Sequence, residues 1–145
     1  MIRIVKMTLE DAKKAYELEC KCFSVPHSLS DFEMEAKRDI SYFALAKDEE
    51  EVVGYCGIVD VSKEGNISTF AVREDMRNKG IGRMLFEHII DYAKEKQMEF
   101  ITLEVRKTNF PAIKIYESLG FKTMGFRKDY YTKPKEDAVI MTLFL

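Results

Sequence analysis

The sequence predicts one α/β domain of the α+β kind, with a mixed, mainly antiparallel sheet of about six to seven strands flanked by about four helices. Three observations predict it. Apolar residues recur with period two in some segments and period 3.6 in others, and the two kinds alternate in the order β-α-α-β-β-β-α-β-α-β-β. Early strands follow one another across short turns, as antiparallel neighbours do, whereas a mid-chain helix joins two strands as a β-α-β crossover. No linker, repeat or low-complexity segment interrupts residues 1–145, a length that suits one domain burying roughly 68–70% of the surface its unfolded chain exposes.

Ile2 to Lys6 alternates as a first short strand. Thr8-Leu9-Glu10-Asp11 then sets a hydroxyl residue three positions before an acid, a capping box that opens a helix to about Phe23. After the loop Ser24-Val25-Pro26-His27-Ser28-Leu29, the segment Ser30-Asp31-Phe32-Glu33 repeats that pattern for a shorter helix ending near Asp39. Tyr42–Lys47 and Glu51–Asp60, rich in Val, Tyr and Ile, form a hairpin across the acidic turn Asp48-Glu49-Glu50. Asn66 to Val72 is a further strand, and Ile81, Leu85, His88, Ile89 and Tyr92 mark one face of a helix to about Lys96. In Phe100–Arg106 the apolar Ile101, Leu103 and Val105 alternate with Thr102, Glu104 and Arg106, so one sheet face carries a carboxylate beside a guanidinium. Asn109 caps a last helix, with Pro111 in its first turn and Gly120 just past its end. Phe121–Phe126 and Ala138–Leu145 close the sheet as an antiparallel pair.

Composition narrows the function. Apolar residues make up 46% and charged residues 33%, mixed along the chain, and a net charge of −2 gives no electrostatic footprint for nucleic acid. The longest apolar runs fall far short of the ~20 residues that cross a bilayer. Met1-Ile2-Arg3-Ile4 begins a strand and not a signal peptide, so a cytoplasmic protein with no membrane partner is expected. Cys20, Cys22 and Cys56 lack C-x-x-C spacing and are odd in number, which argues against a disulfide framework or a zinc site and for core thiols. His27 and His88 are too few and too separated for a metal cluster; His88 reads as a packed side chain, and no metal is expected.

The most informative stretch is Val72 to Leu85, where a strand passes through a basic, glycine-bearing turn into a helix. The first turn of a helix leaves about four N–H groups without intrahelical partners, and the macrodipole adds roughly half a positive charge, so an anion is the natural occupant. Gly80 and Gly82 lack a Cβ, which lets a phosphorylated ligand approach the backbone, while Arg77, Lys79 and Arg83 add positive charge. Neither common phosphate loop fits: Gly82 is followed by Arg83 and not by Lys-Ser/Thr, and Leu85 stands where a dinucleotide fingerprint wants glycine or alanine.

Arg77-Asn78-Lys79-Gly80-Ile81-Gly82, in this element order, resembles the Q/R-x-x-G-x-G/A loop of the GCN5-related N-acetyltransferase (GNAT) superfamily. Leu103-Glu104-Val105-Arg106, Asn109 and Ala112 to Phe121 look like the second half of its acetyl-coenzyme A (acetyl-CoA) site, so that the resemblance covers about the last two-thirds of the chain. Arg127-Lys128-Asp129-Tyr130-Tyr131 and Glu136 to Met141 add a narrower similarity to bacterial ribosomal-protein-alanine N-acetyltransferases. That family has Pro-Trp-Ser after the first helix, where this chain has Pro26-His27-Ser28 and no tryptophan anywhere.

The resemblance implies a single N-acetyltransferase domain with acetyl-CoA as cosubstrate and a protein N-terminus, by resemblance a ribosomal protein's alanine, as acceptor. It implies that Phe70, Ala71 and Val72 offer backbone groups to the acetyl and pantetheine parts, that Asn78, Lys79, Gly80, Ile81, Gly82 and Arg83 hold the pyrophosphate with Arg77 alongside, and that Asn109 bonds the pantetheine arm. Glu104 would act as general base and Tyr116 would protonate or hydrogen-bond the departing thiolate. Elementary chemistry asks for the same parts: a deprotonated amine, an oxyanion donor and help for the leaving sulfur. Deprotonating an α-amine of pKa near 8 at pH 7 costs about 1.4 kcal/mol, against roughly 4.6 for a lysine near 10.4, so one carboxylate suits an N-terminus better. Two other readings stay open: acetylation of a small amine or a protein lysine, and a catalytically silent acyl-CoA sensor. Tyr130 and Tyr131 either wall the acceptor cleft or pair across the last strands.

Overall fold

A computed structural model describes residues 1–145. The order is β1 (Ile2–Lys6), α1 (Ala12–Cys22), α2 (Leu29–Lys37), β2 (Ser41–Asp48), β3 (Glu51–Val61), β4 (Glu64–Val72), α3 (Ile81–Glu95), β5 (Phe100–Arg106), α4 (Phe110–Ser118), β6 (Lys122–Thr132) and β7 (Lys135–Phe144). Short 3₁₀ turns at Leu9–Asp11 and Glu74–Met76 lead into α1 and toward α3. The seven strands make one sheet ordered β1-β2-β3-β4-β5-β7-β6, antiparallel throughout except where β4 meets β5.

Helices cover both faces. On β2, Phe43 and Leu45 join a core with α1 and α2 residues such as Ala15, Leu18 and Phe32, while Ala44 and Ala46 join the core under α3 with Leu85, Phe86 and Ile89. A strand sandwiched this way loses its polar face, and β3 is accordingly buried without a break from Val52 to Ile58. The crossover β4-α3-β5 pairs its two parallel strands only at Glu64↔Phe100, Gly65↔Ile101 and Asn66↔Thr102. At that point β4 shifts register against β3, with Gly57 opposite Thr69 and Ile58 opposite Ile67, so Ser68 bulges out. From Ile67 to Val72 the edge of β4 that faced β5 has no strand partner, and the sheet opens into a V.

Several elements differ from the sequence reading. The cap of α2 is Ser28, whose hydroxyl accepts from the Asp31 N–H while the Asp31 carboxylate accepts from the Ser28 N–H. The Ser30-x-x-Glu33 spacing is a second match to the same pattern one half-turn inside the helix. β6 and β7 run well beyond Phe121–Phe126 and Ala138–Leu145: the outer part of β6 is exposed on both sides and carries an irregularity between Arg127 and Tyr131, so it shows no period-two signal. Of the three cysteines only Cys56 is a core thiol; Cys22 is half-buried and Cys20 exposed. His88 is half-buried, its Nε2 2.8 Å from the Tyr42 hydroxyl. No helix is long and apolar enough to cross a membrane.

Gly57 makes room for the Phe43 ring, which would lie 2.3 Å from a Cβ placed there and packs edge-on against Phe32 at 5.8 Å. Gly57→Ala is expected to lower unfolding free energy by about 1–3 kcal/mol, because the added methyl would overlap three atoms of the ring and force it out of its packing against Phe32; urea titration checks this.

Candidate active site

The β4–α3 turn is built for an anion. Asn78 (φ 62°) and Gly80 (φ 79°) are both left-handed, a conformation glycine adopts freely and asparagine tolerates. The backbone N–H groups from Asn78 through Arg83 donate to no acceptor within the protein; the next, that of Met84, closes the first helical bond on Gly80 O at 3.0 Å. Consecutive amides left free around left-handed residues form a concave donor nest, and the start of α3 adds its dipole. A Cβ on Gly80 would meet nothing within 4 Å, so that side is open space, which fits a bulky phosphorylated ligand. Gly82 plays another part: it is buried, and its missing Cβ would lie 3.0 Å from the Phe70 ring, so it brings α3 against β4.

The basic side chains are less free than their sequence suggested. Arg77 donates through Nε to Val72 O at 3.0 Å, bracing the end of β4, and Arg83 donates to the Ser118 hydroxyl at 2.7 Å, tying α3 to α4. Lys79 is exposed, with only Met76 sulfur at 3.8 Å. The seat is therefore made chiefly of main-chain amides. Phe70 and Val72 turn their backbone groups to the unpartnered edge of β4, with the Val72 carbonyl committed to Arg77, whereas Ala71, expected to offer its backbone as well, turns it to Tyr55 on β3, because backbone groups alternate between the two edges of a strand.

Across the opening, β5 carries Glu104, whose side chain is 26% exposed and pairs with Arg127 Nε at 3.6 Å. Its sequence neighbour Arg106 turns away to Glu136 at 3.2 Å and lies 4.3 Å over the Tyr131 ring. Burial pushes the Tyr131 phenol up to about 12, with the Tyr130, Glu104 and Glu136 charges adding to it. Asn109 caps α4 through Oδ1, 3.3 Å from the Ala112 N–H, and keeps its amide N–H₂ for other partners. Tyr116 is buried under Phe70 (6.3 Å between centroids) and Phe86 (5.1 Å), and this desolvation raises its phenol far above the ordinary value.

The other wall of the opening was not foreseen. Glu19, at the end of α1, is 1% exposed and fully engaged. Oε1 accepts from the Tyr55 and Thr69 hydroxyls, each at 2.7 Å, and Oε2 accepts from the His27 backbone N–H and lies 2.7 Å from His27 Nδ1. Burial acts to raise the Glu19 carboxyl, but these bonds outweigh it and hold it below its usual value. His27 is raised by its bond to Glu19, against a smaller opposing effect of burial. His27, Asp31, Phe32, Glu35, Ser68 and Thr69 line a cavity of about 160 Å³ beside this group. The clue available in the sequence is a carboxylate on the apolar face of α1, four residues after Ala15 and next to Leu18. The loop after α1 also reaches the β6–β7 turn, where Ser24 Oγ donates to Lys133 O at 2.6 Å. No group of three or more potential metal ligands is gathered in this region or elsewhere.

Residues 12–121 match the model of the acetyltransferase (GNAT) family. The chain is 32% identical over 145 residues to the [ribosomal protein bS18]-alanine N-acetyltransferase of Escherichia coli (strain K12), covering 99% of this chain and 97% of that one. The crystal structure of the ribosomal-protein-S18-alanine N-acetyltransferase from Escherichia coli superposes with a TM-score of 0.91 at 31% identity, over 99% of this chain and 94% of that chain. Arabidopsis thaliana NAA60 in complex with acetyl-CoA has the same fold, with a TM-score of 0.91 at 17% identity over the whole of both chains.

The Glu19–His27 pair sets a pH window for stability. Glu19, lowered in the folded state, contributes fully above its unfolded value of about 4.5 and loses that contribution as pH falls through the folded one. His27, raised, contributes fully below about 6.5 and loses it as pH rises through its folded value. The pair is therefore expected to stabilise most between about pH 4.5 and 6.5. Glu19→Ala is expected to remove that increment and cost on the order of 2–4 kcal/mol, since it leaves the Tyr55 and Thr69 hydroxyls unpaired; thermal melts of both proteins across pH check it.

Proposed function

We propose that this chain, which belongs to the acetyltransferase (GNAT) family, acetylates the free α-amino group of a protein N-terminus, with a ribosomal protein's terminal alanine as the favoured acceptor. It is an acetyl-CoA-dependent N-acetyltransferase. The observation that carries the cosubstrate half of the reading is the run of undonated amides from Asn78 through Arg83, where β4 has already parted from β5. The acceptor half is supported by likeness along 99% of the chain to an enzyme named for ribosomal-protein alanine acetylation.

In this reading the amides from Asn78 to Arg83 hold the diphosphate, and the free edge of β4 at Phe70 and Val72 lies along the acetyl and pantetheine portion. Asn109 uses its spare amide N–H₂ on the same arm. When bound, acetyl-CoA supplies an activated thioester; the protein supplies proton transfer and placement. Glu104, accessible and held at one oxygen by Arg127, takes a proton from the attacking nitrogen. Tyr116 stays neutral because burial opposes its ionisation, and so it donates a hydrogen bond to the departing sulfur. Full proton transfer from an ordinary phenol near 10 to a thiolate near 8.5 is already uphill by roughly 2 kcal/mol, and burial of Tyr116 adds to that.

Incubation with acetyl-CoA and paired peptides, one with a free alanine N-terminus and one blocked, is expected to place the acetyl group only on the free terminus by mass spectrometry; transfer to lysine alone would refute the acceptor. Tyr116→Phe and Glu104→Gln are each expected to lower kcat by ~10²–10⁴ with little change in acetyl-CoA affinity, measured by steady-state kinetics and calorimetry.

A further inference from the structure

We propose that His27 is a second proton acceptor in the transfer and that the buried Glu19 is the residue that positions it, an inference that rests on the reading above. The reaction R–NH₃⁺ + CH₃C(O)–S–CoA → R–NH–C(O)CH₃ + CoA–SH + H⁺ takes two protons off nitrogen. One leaves before attack, to free the lone pair, and the other leaves after the N–C bond forms and the C–S bond breaks. One ends on sulfur and one in solvent, so the site has work for two acceptors. Glu104 stands on β5 two residues beyond Thr102, the last paired position; on β4 the matching place, two beyond Asn66, is the bulged Ser68, which with His27 lines the cavity of about 160 Å³.

The hydrogen bonds define what His27 can do. With Nδ1–H given to Glu19 Oε2 at 2.7 Å, the imidazole is held in the tautomer whose Nε2 carries the lone pair. Glu19 cannot itself receive the proton without releasing partners, because both its oxygens already accept from His27, Tyr55 and Thr69. The His27 side chain is 53% exposed, which gives the proton a route to water. The charged groups facing the ring are Glu19 from α1 and Asp31 and Glu35 from α2, all carboxylates that favour the imidazolium, while Ser68 and Thr69 from β4 and Phe43 from β2 are uncharged. Glu35 is itself paired, with Arg38 at 2.6 Å and with the Ser41 hydroxyl. An imidazole at or above about 6.5 lies much closer to a terminal ammonium near 8 than a carboxylate near 4.3 does, so it is the better matched acceptor for the first proton.

The test is the pH dependence of kcat/KM on a peptide with a free alanine terminus, for the parent chain, His27→Asn and Glu19→Gln. Asparagine keeps an N–H for Glu19 but has no Nε2. The parent is expected to show an acid limb above pH 6.5 that His27→Asn lacks, with a plateau about 10²-fold lower and an unchanged acetyl-CoA dissociation constant by calorimetry. Glu19→Gln is expected to move the limb to lower pH, while the acceptor's own titration near pH 8 is common to all three. Coincident profiles for the parent and His27→Asn would overturn the inference and leave the N-acetyltransferase reading intact. A parent that binds acetyl-CoA but transfers nothing to the peptide would overturn both.

Discussion

Everything in this site depends on two parallel strands that stop being neighbours. β4 and β5 pair over three residues each and then separate, and a sheet that separates in mid-course exposes main-chain donors and acceptors that would otherwise be satisfied within it. Such an opening is tolerated because the flanking ladders are long: β3 holds β4 along its length and β7 holds β5 from Phe100 to Arg106. The bulge at Ser68 lies just past the last parallel pair, Asn66 with Thr102, where the two strands part.

Charge is handled by geometry more than by side chains. At the β4–α3 turn the arginines are spent on bracing the frame, Arg77 on the end of β4 and Arg83 on α4, and the anion seat falls to amides aligned by left-handed residues and a helix start. Across the opening the one buried carboxylate, Glu19, is solvated by four protein donors in place of water. Those donors come from the loop after α1, from β3 and from β4, so a single ionised group fixes how the loop bearing His27 sits over the bulge.

Much of this was legible in the sequence because its signals are local. Helix starts with a glycine-bearing turn, alternation in Phe100–Arg106, and Asn109-x-Pro111 at a helix entrance each depend on a few adjacent residues, and each lies where the structure has it. The misreadings have physical causes. Ser28 and Ser30 both satisfy the capping pattern, and only tertiary context chooses between them; the outer half of β6 is exposed on both faces and so lacks periodicity. Gly82 was legible as a glycine but not as a packing residue, since Phe70 lies twelve positions away in sequence. Glu19 was hidden for the same reason: its partners Tyr55 and Thr69 are brought to it only by the sheet.

The contact between Gly82 and Phe70 has a mechanical consequence. Phe70 meets Phe86 at 4.8 Å and Tyr116 at 6.3 Å, and Phe86 meets Tyr116 at 5.1 Å, so three interlocked rings join the mouth of α3 to the phenol on α4. Close-packed interiors transmit displacement instead of absorbing it. The amide nest at the mouth of α3 and the phenol on α4 thus behave as the two jaws of one caliper, whose span is set by ring packing when the chain folds.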